Sequence, residues 1–213
     1  MDLHDIRRQY QLDRLTAEKL LPQPWQQLQL WLEQAMAAKL SDDPTAMTLA
    51  TADVTGRPSA RIVLLKQLDQ QGLVFYTNLG SRKAQEIKQN PQVCCHFSFL
   101  GLERQAVIYG RASKLSLREV SKYFMSRPRD SQLGAWASQQ SKPIKSRQLL
   151  EQSFQQMKQK YSQGQIPLPD FWGGFRVEVD SAEFWQGGEN RLHDRFFYQP
   201  SGPGVWQIER LQP

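Results

Sequence analysis

Residues 46–77 read AMTLATADVTGRPSARIVLLKQLDQQGLVFYT, and this stretch decides the fold. It holds three apolar runs, Ala46–Thr51, Ala60–Gln67 and Leu73–Thr77, each too short for a helix and rich in strand formers. Val54-Thr55-Gly56-Arg57-Pro58 and Asp69-Gln70-Gln71-Gly72 lie between them and supply turn residues. The pattern predicts three consecutive antiparallel strands. Downstream, Val93–Phe99 and Arg104–Ser113 predict two more. Gly174–Val179 sets Phe175, Val177 and Val179 against Arg176 and Glu178, the alternation of a half-buried strand. Phe196–Tyr198 and Val205–Leu211 flank a turn at Pro200-Ser201-Gly202-Pro203-Gly204. Many short strands at this spacing predict an antiparallel barrel.

Helices frame the barrel. From Pro24, the residues Trp25, Leu28, Trp31, Leu32, Ala35, Met36 and Leu40 recur at helical spacing. A short helix opens at Ser81 as N-cap, and others are expected over Leu117–Met125, Leu133–Ala137 and Ser146–Tyr161. The fold class is therefore mainly β with flanking helices. Residues 1–23, polar and basic through Arg7, Arg8, Arg14 and Lys19, read as an arm, and 24–213 as a single domain.

The chain of 213 residues carries a net charge of +6. Its basic residues come as scattered pairs and triplets, which favours small phosphorylated ligands over nucleic acid. No run of 18 apolar residues exists to span a membrane, and the N-terminus lacks the apolar core of a secretory signal. Cys94 and Cys95 are adjacent, so they are poorly placed to bridge and too few for zinc. The three histidines, His4, His96 and His193, are too dispersed for a metal centre. These features point to a cytoplasmic protein without a metal.

Four constellations carry possible chemistry. Arg61-Ile62-Val63-Leu64-Leu65-Lys66 is an apolar strand with a cation at each end. Arg61 and Lys66 have opposite parity, so in a regular strand they face opposite sides. They reach one ligand only across a bulge, around a strand end or through two adjacent pockets. Tyr76-Thr77-Asn78-Leu79-Gly80-Ser81-Arg82-Lys83 leads from a strand into a helix start with two cations, a setting that favours phosphate. In Tyr123-Phe124-Met125-Ser126-Arg127-Pro128-Arg129-Asp130-Ser131, Tyr123 and Arg127 share a helical face, and Pro128 lets Ser131 fold back as a third phosphate donor. Finally, in Gly187-Gly188-Glu189-Asn190-Arg191-Leu192-His193-Asp194-Arg195, an extended chain would align Arg191, His193 and Arg195 on one face as an anion receptor. Each constellation also has a bland reading as a solvated or capped element end.

Taken in order, Arg61–Lys66, Phe75–Lys83, Leu102–Gln105, Ser126–Ser131, Phe171–Arg176 and Phe184–Phe196 together resemble the pyridoxine (pyridoxamine) 5′-phosphate oxidase family. The resemblance runs over nearly the whole chain. It implies a homodimeric FMN-binding split β-barrel with its active site at the subunit interface. It also implies oxidation of pyridoxine 5′-phosphate or pyridoxamine 5′-phosphate to pyridoxal 5′-phosphate by dioxygen. On the matching positions, FMN would contact Arg61, Ile62, Val63, Leu64, Leu65, Lys66, Tyr76, Thr77, Arg82, Lys83, Gln105, Gln140, Ser141, Trp185 and Arg195. The substrate phosphate would meet Lys66, Tyr123, Arg127 and Ser131. Arg191, Leu192 and His193 would cover the pyridine ring, with Arg191 and His193 catalytic. Arg7, Arg8, Gln9 and Tyr10 would form a lid. Gln9 stands where the family leads one to expect an acid, and Asn190 where it suggests His. The alternatives are another FMN oxidoreductase on the same barrel and a non-catalytic flavin or pyridoxal phosphate carrier.

Overall fold

Pro24 needs no backbone partner at a helix start, and it opens α1 (Pro24–Ala37). In the computed structural model, which describes all 213 residues, α1 buries Leu28, Trp31, Leu32 and Ala35 against a nine-stranded antiparallel sheet. The strands are β1 (Ala46–Ala52), β2 (Pro58–Leu64), β3 (Gln67–Asp69), β4 (Gly72–Asn78), β5 (Gln92–Phe99), β6 (Arg104–Lys114), β7 (Trp172–Gln186), β8 (Asp194–Gly202) and β9 (Val205–Leu211). Helices α2 (Arg82–Gln89), α3 (Leu117–Ser126), α4 (Arg129–Ala137) and α5 (Arg147–Lys160) complete the chain. No helix is long and apolar enough to cross a membrane.

The strand order is β2-β1-β5-β6-β7-β4-β3. β7 is the spine: β6 lines one edge for most of its length, while the other edge takes β4 over its first half and β8 over its second. Near β2 the sheet curls back on itself, with the Lys66 N–H donating to the Val74 carbonyl and the Leu65 N–H to that of Thr45. The result is a split barrel filled by one main core, in which Trp31 meets Phe184 edge-to-face at 5.1 Å. A second cluster, built on Phe124, Leu133 and Trp172, joins α3 and α4 to the start of β7. Leu15 is buried in the main core, so the arm is anchored well before residue 23.

Three local expectations change. The run expected as one strand over Ala60–Gln67 breaks at Leu65–Lys66 into β2 and β3. The strand expected over Gly174–Val179 extends from Trp172 to Gln186. A bulge opposite Tyr109 and Gly110 inserts Asp180, which flips the parity of the residues beyond it. Phe175 and Val177 face the core before it, and Ala182 and Phe184 after it, so simple alternation ends at the bulge. The helix expected at Leu133 begins at Arg129, which places Ser131 in the first turn of α4, not in a loop.

Candidate active site

Ser116 caps α3 through a reciprocal capping box with Glu119. The helix stops at Ser126 because Arg127, preceding Pro128, is driven to an extended backbone. Pro128 then starts α4. This corner brings Tyr123, Arg127 and Ser131 to one wall of a cavity of about 500 Å³. The opposite wall is Ile62, Val63 and Leu64 of β2, with Lys66 at the strand break and Tyr76 and Thr77 of β4. The backbone is no longer a regular strand between Arg61 and Lys66, and only Lys66 reaches this cavity.

Aromatic stacking fixes the cavity floor. Tyr76 stacks on Tyr123 at 3.9 Å and on Trp172 at 5.4 Å, with the rings nearly parallel. The Arg127 guanidinium lies over the Trp172 ring at 4.8 Å. One Arg127 nitrogen, Nη1, is buried without a partner, and burial lowers the group's pKa. A half-buried guanidinium on the cavity wall without a carboxylate partner fits an anionic ligand.

At the far end Lys83 Nζ donates to Gln140 Oε1 (2.9 Å) and Thr77 Oγ1 (3.2 Å). Burial, with a contribution from neighbouring Arg61, pulls the Lys83 pKa down to about 8. Arg61 lies outside the cavity lining and bonds the hydroxyls of Thr51 and Ser59. Glu86 accepts from Thr51, Ser59 and Arg82, and stands 3.4 Å from Arg61. Burial opposes the charge on Glu86, but these donors outweigh it and hold the pKa at about 2. Ser81 occupies the N-cap position of α2, yet its buried hydroxyl makes no cap bond and has no partner. The cations Arg82 and Lys83 at this helix start suit a second phosphate.

The remaining candidates gather elsewhere. Arg191 ends a short 3-10 turn over Glu189–Arg191, where Asn190 and Arg191 adopt positive φ, and β8 begins only at Asp194. Arg191, His193 and Arg195 therefore do not form the expected strand face: the left-handed residues turn the chain before pairing resumes. A side chain at Gly188 would meet the Leu192 carbonyl, so this turn requires glycine. The Gly188 N–H donates to His193 Nδ1 (3.1 Å), leaving the ring proton on Nε2, and burial, then Arg191, lowers the ring's pKa. His193 lies 4.7 Å from Trp185, and Tyr10 of the arm packs edge-on against both. Arg7, Arg8, Gln9, Tyr10 and Arg191 line a second cavity of about 260 Å³. Arg195 pairs across the strands with Trp185 but binds Glu183 through two nitrogens, each at 3.0 Å.

The structure thus assembles two clusters from one chain. The first holds Ile62, Val63, Leu64, Lys66, Tyr76, Thr77, Lys83, Tyr123, Arg127, Ser131 and Gln140. The second holds Arg7, Arg8, Gln9, Tyr10, Trp185, Arg191 and His193. Gln105 pairs with Trp185 in β6, and Leu192 and Ser141 are exposed. Leu65 points into the core instead of the cavity, and Arg82 is outside it. The clusters mark opposite ends of β7: Thr77 pairs with Gly173 and Gln105 with Trp185, about 40 Å apart along a strand rising 3.3 Å per residue. Sequence reasoning missed Asn78, Ser138 and Trp172 as lining residues, although Asn78 and Trp172 lie inside quoted motifs. It also missed Glu86, for which only helical spacing from Arg82 was a signal.

A family profile described as pyridoxamine 5′-phosphate oxidase matches residues 32–161, and one described as the pyridoxine 5′-phosphate oxidase C-terminal dimerisation region matches 172–213. Relatives named pyridoxine/pyridoxamine 5′-phosphate oxidase include those of Pseudoalteromonas translucida, 54% identical over 213 residues, and Hahella chejuensis, 56% identical over 213 residues. Each comparison covers 100% of both chains. Among solved structures, PhzG from Burkholderia lata in complex with tetrahydrophenazine-1-carboxylic acid is similar at a TM-score of 0.87 and 28% identity, over 95% of this chain and 99% of that one. A pyridoxamine 5′-phosphate oxidase-related, FMN binding protein from Nostoc punctiforme shares the fold at a TM-score of 0.72 and 17% identity, over 91% and 100% of the two chains.

Proposed function

The chain belongs to the pyridoxamine 5′-phosphate oxidase family, and from that premise we propose that it oxidises pyridoxine 5′-phosphate or pyridoxamine 5′-phosphate to pyridoxal 5′-phosphate. Dioxygen is the electron acceptor and hydrogen peroxide the second product. With the amine substrate, water supplies the aldehyde oxygen and ammonia leaves. The observation that carries the reading is the Arg127 guanidinium, without a carboxylate partner, on a cavity shared with Lys66, Tyr123 and Ser131. These four groups suit a phosphate monoester.

The cofactor in this reading is FMN, which would be held by Arg61, Thr77, Arg82, Lys83, Gln140 and Ser141, together with Ile62, Val63 and Leu64 of β2, Lys66 and Tyr76. When bound, it supplies two-electron acceptance and reoxidation by dioxygen. The protein's share is position. The phosphate anchor sits away from the reacting carbon, so its binding energy orients that carbon without touching it. Arg191 and His193 cover the pyridine ring, with the His193 Nε2–H as a neutral donor. Gln105, Trp185 and Arg195 close the flavin site from the same side.

Because one chain separates its two clusters along β7, the complete site in this reading is composite. One protomer supplies the phosphate cavity and its partner supplies the Trp185–His193 cluster and the arm, residues 1–23, as lid. The dimerisation-region match over 172–213, which includes Trp185, His193 and Arg195, supports this arrangement. So does the outer row Ile62, Thr48, His96 and Val107 across four strands, where Ile62 is 71% exposed and suits cover by a second copy. The direct test is to add pyridoxamine 5′-phosphate to the FMN-loaded protein under air. Stoichiometric pyridoxal 5′-phosphate and peroxide support the proposal, and a yellow protein that yields neither defeats it in favour of a carrier.

A further inference from the structure

Glu103 stands apart from every role assigned above. It sits at the turn into β6 with a left-handed backbone (φ 56°), a conformation that a non-glycine residue adopts at a cost. Its side chain is only 3% exposed although it carries a charge. All of its carboxylate bonds go to the arm: Arg8 Nη2 donates to Oε1 (2.7 Å), and the Gln11 and Leu12 N–H groups donate to Oε2 (2.8 and 3.0 Å). Its backbone carbonyl accepts from the Gly187 N–H (2.7 Å) and from Gln186 Nε2 (3.2 Å). One residue thus grips both the arm and the strand end that leads to the Trp185–His193 cluster. Tyr10 lies between these grips, and a side chain at Gly187 would strike its ring. Farther along, Arg104 binds Asp13, and Asp194 accepts from the Leu15 N–H. Those tethers secure the arm's base, whereas Glu103 supplies the long-range hydrogen bonds of the stretch that presents Arg8 and Tyr10, which otherwise rests on the packing of Tyr10 against Trp185 and His193.

We propose that Glu103 is a positioning residue for substrate binding: its buried carboxylate latches the arm so that Arg8 and Tyr10 are held beside Arg191 and His193. The inference rests on the reading that the arm covers the substrate. Two substitutions separate its parts. Glu103→Gln keeps the shape and can still accept from the Gln11 and Leu12 amides, but it turns an amide donor toward Arg8. Glu103→Ala removes every carboxylate bond.

In the FMN-loaded protein, amide hydrogen exchange of residues 8–12 should accelerate by about tenfold in Glu103→Ala and by less in Glu103→Gln. KM for pyridoxamine 5′-phosphate should rise in the same order, with kcat within about twofold of native because the reacting groups are untouched. Unchanged exchange in both variants overturns the latch. A parallel loss of kcat, flavin and melting temperature shows a merely structural turn and also overturns it. If Glu103→Ala does not fold, the near-isosteric Glu103→Gln carries the test. If the native protein fails to oxidise the substrate, the activity reading falls while the exchange measurement still judges the latch.

Discussion

Arg127 is half-buried on the cavity wall without a carboxylate partner, so a phosphate there would pair an otherwise unpaired cation. Arg127→Ala should raise KM for the phosphorylated substrate by about 30-fold or more, the loss of roughly 2 kcal/mol of charge-assisted bonding, with a smaller effect on kcat. Steady-state kinetics check this, and an unchanged KM would remove Arg127 from the anchor. Lys83 gives a pH signature. Its pKa near 8 means that the ligand-free protein loses this charge as pH rises through about 8. A bound phosphate favours the charged form, so FMN affinity should be steady below that pH and fall above it. Lys83→Arg, which keeps its charge, should flatten the profile measured by flavin fluorescence quenching. The identities of Arg127 and Lys83 were legible as cations near turns. Their burial was not, because it depends on Trp172 and Gln140, each more than forty positions away in sequence.

At the scale of elements, the α3–α4 corner sets the anchor's geometry. The Ser116–Glu119 capping box begins α3 and Pro128 ends it, so the register of Tyr123 and Arg127 on the helix follows from both signals. Ser116→Ala should cost about 1 kcal/mol of stability, seen as a lower thermal midpoint, without altering flavin affinity at temperatures where the protein stays folded. The start of α3 at Leu117 was readable in the sequence because helix-start signals are local, whereas α4 begins four residues before its expected start. The reach of β7 was not. Its alternation breaks at the Asp180 bulge, so the second half, Ser181–Gln186, carries the opposite parity and lost the expected pattern. The Arg191–Arg195 segment failed for a related reason: residues with left-handed backbone look like any other alternating polar run until φ is known.

At the scale of the whole molecule, the length of β7 separates the two clusters, and symmetry offers a way to reunite them. Arg127 and Arg191 then belong to different protomers of each site. At substrate concentrations well below the raised KM of Arg127→Ala, mixing Arg127→Ala and Arg191→Ala subunits under conditions of exchange should bring activity to about a quarter of native: half the dimers are mixed, and each mixed dimer has one site with both arginines. If each site were built within one chain, mixing would restore nothing. The sequence by itself determined the strand-rich class, the order of the phosphate-seeking motifs and, through their combined resemblance, the expected chemistry, because residue type and short spacing are local properties. Only the tertiary structure decided that the strand breaks between Arg61 and Lys66, that a bulge lets β7 run through both clusters, and that Glu103 grips an arm some 90 residues earlier. Those are consequences of backbone geometry and long-range pairing, which periodicity along the chain does not encode.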